Sequence, residues 1–131
     1  MEEGKNLTLY VVVPLYNDEE VIEQLCTAVL SSLGNEFKSL RLILIDDGSK
    51  DDSHKAALEM KDLHVEIEVI KLAGNFGQHR AILAGLRATN ADLVAVMDSD
   101  LQDRPEHIPT LVRRMLEDGT SCLLYTSPSP R

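Results

Sequence analysis

Leu9-Tyr10-Val11-Val12-Val13 runs into Pro14-Leu15-Tyr16-Asn17-Asp18-Glu19-Glu20, and this stretch decides the class of fold. Five successive apolar, largely β-branched residues make a strand without a polar face, as a strand covered on both sides in a parallel sheet requires. Pro14, lacking an N–H, is expected to stop that strand. Asp18, Glu19 and Glu20 suit a helix N-terminus, and Val21, Ile22, Leu25, Val29 and Leu33 then recur at helical spacing until Gly34-Asn35.

The alternation continues outward. Leu40 to Ile45 reads as a second strand, interrupted by Arg41 and ending in the turn residues Asp46-Asp47-Gly48-Ser49, with a helix from about Asp51 to Lys61. Val65 to Leu72 sets Val65, Ile67 and Val69 against Glu66 and Glu68, so this third strand has one wet face and belongs near a sheet edge. Gly74-Asn75-Phe76-Gly77 punctuates the chain before a third helix from Gln78 to Ala88, carried by Ile82, Leu83 and Leu86. Gly85 inside it costs about 1 kcal/mol relative to Ala, which implies close packing there. Leu93 to Met97 forms a fourth strand and ends in Asp98-Ser99-Asp100-Leu101-Gln102-Asp103. A helix resumes near Pro105, with Ile108, Leu111, Val112 and Met115 on one face.

The order βαβαβαβα implies an α/β fold, a mostly parallel sheet between helical layers with right-handed crossovers. The 131 residues suffice for one domain, expected over residues 8–119. A content of 44% hydrophobic and 27% charged residues fits a chain that buries a core. With 13 Lys and Arg against 22 Asp and Glu, the net charge of −9 argues against a nucleic-acid partner and favours a divalent cation as polar partner. Cys26 and Cys122 have no metal-ligand or redox spacing and are expected to be reduced thiols of a cytoplasmic protein. The polar start Met1-Glu2-Glu3-Gly4-Lys5-Asn6 lacks a signal-peptide pattern, and no run approaches the roughly 18 apolar residues of a membrane span. Thr120 to Arg131 begins like a strand and collapses into Ser and Pro, so residues 120–131 are expected to be a disordered or non-native tail.

In such sheets, ligands bind beyond the C-terminal ends of the strands. Tyr16-Asn17-Asp18, Asp46-Asp47, Asn75 and Asp98 to Asp103 all fall there. Asp98 and Asp100, one residue apart on a turn, can bind a hard cation such as Mg2+ or Mn2+, with Gln102 adding a neutral oxygen. Such an ion takes its other ligands from water and substrate phosphates, which points to a phosphorylated donor such as a nucleotide diphosphate. Taken alone, an Asp-x-Asp turn is also compatible with an Asx hydrogen bond in solvent, and Asp46-Asp47 with a helix cap. Bringing these acids to one edge costs repulsion unless a cation or hydrogen-bond donors offset it. Tyr16 and Asn17 supply an aromatic face and an amide suited to a planar base. His79 reads as structural, and His54, His64 and His107 as surface residues without partners.

Val12-Val13-Pro14-Leu15-Tyr16-Asn17-Asp18-Glu19, Leu44-Ile45-Asp46-Asp47-Gly48-Ser49-Lys50-Asp51, Asn75-Phe76-Gly77-Gln78-His79 with Ala84-Gly85-Leu86, and Met97-Asp98-Ser99-Asp100-Leu101-Gln102-Asp103 together resemble family 2 glycosyltransferases. The Asn-Phe-Gly-Gln-His and Asp-Leu-Gln-Asp stretches are most similar to the branch acting on polyprenyl phosphates, including dolichyl- and undecaprenyl-phosphate sugar transferases. The resemblance implies a GT-A fold, a Rossmann-like three-layer α/β/α arrangement that is truncated here, and inverting sugar transfer from a nucleotide-diphospho-sugar to a lipid phosphate. By the same resemblance Pro14, Tyr16 and Asp47 contact the base, Asp18 stands where the family usually has Glu, Asp98 faces the ribose or metal side, and Asp100 with Gln102 holds the divalent ion. Asn17 joins the nucleotide-binding set. Gly74 departs from the Arg that the family commonly places before Asn-Phe-Gly. Catalytic and acceptor-site elements of the family lie downstream of the Asp-x-Asp turn, as do any membrane helices. The chain is therefore expected to bind the donor without turning over, and the complete protein to work at the cytoplasmic face of the membrane.

Three other readings fit less well. A haloacid-dehalogenase-like phosphatase would use Asp98 as nucleophile and Asp100 as acid, but Gln102 stands where that motif carries Thr or Val. A response-regulator receiver needs a phosphoacceptor Asp after the third strand, and Lys71-Leu72-Ala73 offers none. A dinucleotide-binding module needs a Gly-rich turn after the first strand, where Pro14-Leu15-Tyr16-Asn17 stands. A non-catalytic nucleotide-binding fragment shares every motif with the transferase reading.

Overall fold

The structure, a computed structural model, describes residues 6–87, 91–99, 104–117 and 124–125. Its elements run β1 (Thr8–Leu15), α1 (Ile22–Leu33), β2 (Ser39–Asp46), α2 (Ser53–Leu63), β3 (Ile67–Lys71), α3 (Gln78–Arg87), β4 (Leu93–Val96), a 3₁₀ turn (Pro105–His107) leading into α4 (Ile108–Glu117), and β5 (Leu124–Tyr125). The strands form one sheet in the order β3-β2-β1-β4-β5, and every pairing is parallel. β3 lies at an edge, as its wet face implies. Leu124 and Tyr125, within the segment expected to be a tail, pair with Ala95 and Val96.

The two faces of the sheet follow from the period of two along each strand. Leu9, Val11, Val13 and Leu15 of β1 join Leu40, Leu42 and Leu44 of β2 and Leu93 and Ala95 of β4 in the larger core. Leu25, Val29 and Leu33 of α1, Ala57 and Met60 of α2, and Ile108 and Val112 of α4 cover that face. Val12, Ile43, Ile45 and Val96 point the other way, where Ala81 and Ile82 of α3 cover them. The three-layer α/β/α reading therefore holds, with α3 serving one face. Cys26 is fully buried in the larger core, and burial pushes its thiol up to about 12. Among the described residues no helix is long and apolar enough to cross a membrane.

Two local expectations change. Pro14 does not end β1, because it remains in register opposite Ile45 and the strand continues to Leu15. The reason is directional. The Val12 carbonyl accepts from Met97 N–H at 3.1 Å on the β4 side, whereas Leu15 accepts from Asp47 N–H at 2.9 Å on the β2 side. Pro14 shares the orientation of Val12, so its missing N–H falls on the β4 side, where the ladder stops at Val12–Val96, and leaves the β2 side, where pairing runs on to Leu15–Asp46, intact. Val65 was expected to open β3, but it sits in the preceding turn at 80% exposure, and the strand starts at Ile67.

Asp92 ties the start of β4 to the start of β1. Its Oδ2 accepts from Thr8 N–H at 2.9 Å and from Thr8 Oγ1 at 3.1 Å, while Asp92 N–H donates to Thr8 Oγ1 at 3.0 Å. These bonds, the backbone one first, hold the Asp92 carboxyl below its ordinary range.

The close packing expected at Gly85 is present. A Cβ there would lie 2.5 Å from Val12 Cγ1 and 3.2 Å from Ile45 Cδ1, both in the buried centre of the sheet. Gly85→Ala gains helix propensity worth about 1 kcal/mol but overpacks this contact at a typical cost of about 1–3 kcal/mol. Because Val12 is a stiff, fully buried neighbour, urea unfolding is expected to show a net loss of about 1 kcal/mol; a gain would show that α3 can ride outward freely.

Candidate nucleotide-sugar site

The loops that leave β1, β2 and β3 and the end of β4 meet at one edge of the sheet, joined by side chains distant in sequence. Tyr16 N–H donates to Asp18 Oδ2 at 2.8 Å, closing a tight turn. Asn17 inside that turn has φ +54°, a left-handed conformation that Asn tolerates better than most residues. It faces the β2–α2 loop, accepting from Lys50 N–H on Oδ1 at 2.8 Å and donating its own N–H to Ser49 Oγ at 3.0 Å. Ser53, fully buried at the start of α2, accepts from Asp18 N–H at 2.7 Å and donates through Oγ to Asp51 Oδ1 at 2.5 Å. Asp51 also accepts from Ser53 N–H at 2.9 Å and, through Oδ2, from Glu19 N–H at 3.3 Å. Partial burial raises the Asp51 carboxyl, but the bonds from Ser53 and Glu19 outweigh it and leave the group below its ordinary range.

The acids at the strand ends are satisfied by donors. Asp46, 1% exposed, accepts from Ser49 N–H at 3.1 Å. Asp47 is fully buried and takes Phe76 N–H on Oδ1 at 2.9 Å and Gly77 N–H on Oδ2 at 3.1 Å. Asp98, 9% exposed at the end of β4, accepts from Gln78 Nε2 at 2.8 Å. The repulsion expected from gathering these carboxylates is thus offset by N–H donors at each. Gly48 lets the loops close, because at its φ of +74° a Cβ would fall 2.6 Å from Asn75 N.

Of the residues singled out from sequence, Pro14 is buried inside β1, Tyr16 and Asp18 are half-buried at the edge, and Asn17 is exposed. Asp47 is fully buried just after β2, and any contact with a base would come in addition to its bonds to the β3–α3 loop. Asp100 and Gln102 lie outside the described residues. Among the described residues no group of three His, Cys, Asp or Glu gathers to hold a metal. Asp98 offers the hard oxygen that Mg2+ or Mn2+ prefers, so the donor chemistry present fits such an ion.

Ser49, Asp51, Ser53 and Gln78 were not foreseen as parts of the site. Gln78 stood in a quoted motif, but nothing in its spacing pairs it with Asp98. His54 is not the unpartnered surface residue expected. It is half-buried, with Nδ1 4.0 Å from Asp46 Oδ2 and without a hydrogen-bond partner. As the second residue of α2, it enters the first helical turn close to that carboxylate. His79 is exposed in the first turn of α3 and joins none of these bonds in the described structure.

Comparisons with known proteins bear on the fold and the family. Undecaprenyl-phosphate 4-deoxy-4-formamido-L-arabinose transferase of Proteus mirabilis (strain HI4320) is 46% identical over 105 residues, covering 78% of this chain and 32% of that protein. The chain spans 32 to 36% of the length of the curated relatives it matches. Mannosyltransferase PcManGT from Pyrobaculum calidifontis, solved with GDP-Man and Mn2+, superposes with a TM-score of 0.75 at 19% identity, over 84% of this chain and 32% of that one. Glucosyl-3-phosphoglycerate synthase from Mycobacterium tuberculosis, solved with Mn2+, UDP and glucosyl-3-phosphoglycerate, gives a TM-score of 0.66 at 27% identity, over 84% of this chain and 40% of that one. The profile of glycosyl transferase family 2 matches residues 10–130, and with the parallel sheet and its strand-end loops this places the chain in glycosyl transferase family 2.

Proposed function

We propose that this chain forms the donor-binding part of an enzyme that transfers a sugar from a nucleotide-diphospho-sugar to a polyprenyl phosphate with the help of a divalent cation. The observation that carries the reading is the convergence of the β1, β2 and β3 loops with Asp98 at one sheet edge. The Proteus mirabilis relative supports the lipid-phosphate acceptor by its name, and the Mycobacterium tuberculosis neighbour supports a uridine diphosphate and Mn2+ by what it was solved with.

In this reading Tyr16 and Asn17 form the base-binding lip, held by Asp18, Ser49 and Lys50. Pro14 fixes the direction in which the strand delivers them. Asp98 presents a carboxylate to the ribose and cation side, with Asp100 and Gln102 completing the oxygen set. A divalent cation bound there supplies positive charge against the diphosphate leaving group. The protein groups hold base and diphosphate in line, which lowers the barrier by orientation as well as by charge. Acceptor recognition and the catalytic base belong to the remainder of the full-length enzyme, which is assigned to the cytoplasmic face of the membrane.

Calorimetric titration of UDP and GDP into the chain, with and without Mn2+, tests this directly. Binding is expected to require the metal and to weaken about 10-fold or more in Asp98→Ala and in Asp100→Ala, as for loss of a ligand or its support. Metal-independent binding, or none by a folded chain, would sink the proposal. Gly74 provides a second test. A Cβ at that position would meet only the Phe76 ring, at an ordinary 3.8 Å, so the backbone admits a side chain where the family commonly carries Arg. Gly74→Arg is expected to fold normally and to bind the nucleotide diphosphate about 2- to 5-fold more tightly, the scale of a half-exposed ion pair; unchanged affinity would place the diphosphate away from the β3–α3 loop.

A further inference from the structure

We propose that Gln78 is a positioning residue for Asp98, one that sets the orientation in which this carboxylate meets the cation and ribose of a bound nucleoside diphosphate. The proposal rests on the donor-site reading above and assigns a role to a residue outside it.

The geometry is built from both sides. Gln78 opens α3 directly after the loop that Asp47 grips through Phe76 N–H and Gly77 N–H, so its backbone is anchored to the end of β2. Ala81 N–H donates to Gly77 carbonyl at 3.1 Å, which carries the anchored loop directly into the first helical turn. Farther along α3, Gly85 sits against Val12 and Ile45, so the helix is seated on β1 and β2. From this fixed point the half-buried Gln78 side chain reaches the end of β4, which lies beyond β1 in the sheet, and donates to Asp98 Oδ1 at 2.8 Å. Two carboxylates that follow different strands are thereby joined through the consecutive residues Phe76, Gly77 and Gln78.

The choice of an amide has a chemical reason. A carboxylate 9% exposed needs a hydrogen-bond donor, because leaving a charged acceptor unsatisfied is costly. A Lys or Arg donor would meet that need but would also cancel the negative charge that attracts the cation. A Gln amide pins Oδ1 and stops rotation about the carboxylate bond while leaving the full charge in place. Outer groups that orient a ligating carboxylate typically change metal affinity 10- to 100-fold when removed.

The test is a double-mutant cycle on the 131-residue chain, using Gln78→Met, which keeps the length of the side chain and removes the donor, with Asp98→Asn and the double variant. Mn2+ binding in the presence of UDP or GDP is followed by calorimetry and by the electron paramagnetic resonance of free Mn2+. Gln78→Met is expected to weaken Mn2+ binding about 10- to 100-fold and to lower the urea midpoint modestly, as loss of a donor to a nearly buried carboxylate does. Added to Asp98→Asn, it is expected to cost less than about 3-fold more, because the partner through which it acts is already altered. The side-chain amide resonance of Gln78, identified by its absence in Gln78→Met, is expected to move in Asp98→Asn even without metal. Full affinity in Gln78→Met, additive losses, or an unmoved amide resonance would overturn the proposal while leaving the donor site intact. Unchanged Mn2+ binding in Asp98→Asn, or a folded chain that binds neither nucleotide, would overturn the donor-site reading and this proposal with it. If Gln78→Met fails to fold by circular dichroism, Gln78→Leu, also uncharged and without a donor, takes its place under the same criteria.

Discussion

A carboxylate withdrawn from water must find hydrogen-bond donors or give up its charge, and the ligand edge of this protein is organised by that constraint. Asp46, Asp47 and Asp98 lie nearly or fully buried at the ends of β2 and β4. The donors described above lie outside the strands that carry the acids. Ser49 N–H, Phe76 N–H, Gly77 N–H and the Gln78 amide all come from loops or from the start of the next helix. Satisfying the acids is therefore the same event as folding the loops. Asp47 in particular converts what would be a free excursion between β3 and α3 into a fixed approach to α3.

The second set of bonds acts between the first two loops rather than beneath them. Asn17, Ser49, Ser53 and Asp51 exchange hydrogen bonds across more than thirty positions of sequence, and each uses a short polar side chain that can reach a neighbouring backbone. The lip that carries Tyr16 is consequently pre-organised on α2, and a ligand binding there need not pay to order it.

The large-scale fold was legible because buried strands and amphipathic helices write their periods directly into the chain. Val11-Val12-Val13, Leu42-Ile43-Leu44-Ile45 and the alternation around Ile67 announced two central strands and an edge strand. Gly85 announced a close contact, and Val12 and Ile45 supply it. Pro14 misled, since a proline ends a strand only if its missing N–H faces a partner, and the short β4 ladder that spares it is a tertiary fact. The site was legible as a location and as a set of motifs, but not as a network. Gln78 with Asp98, Ser53 with Asp18 and His54 with Asp46 are pairings in space, and the chain carries no local pattern that would join them.

The strand order has a consequence in time. β1 occupies the interior of the sheet, between β2 and β4, so the first strand made must wait for partners that appear later. The bonds between Thr8 and Asp92 close a loop of 84 residues, the kind of non-local pairing that slows folding. During synthesis β1, β2 and α1 can associate early, whereas Asp98 reaches the ligand edge only after β4 has left the ribosome and docked on the far side of β1. Until then one flank of the central strand stands open as an unpaired edge, which makes the half-finished sheet the state most exposed to misassociation.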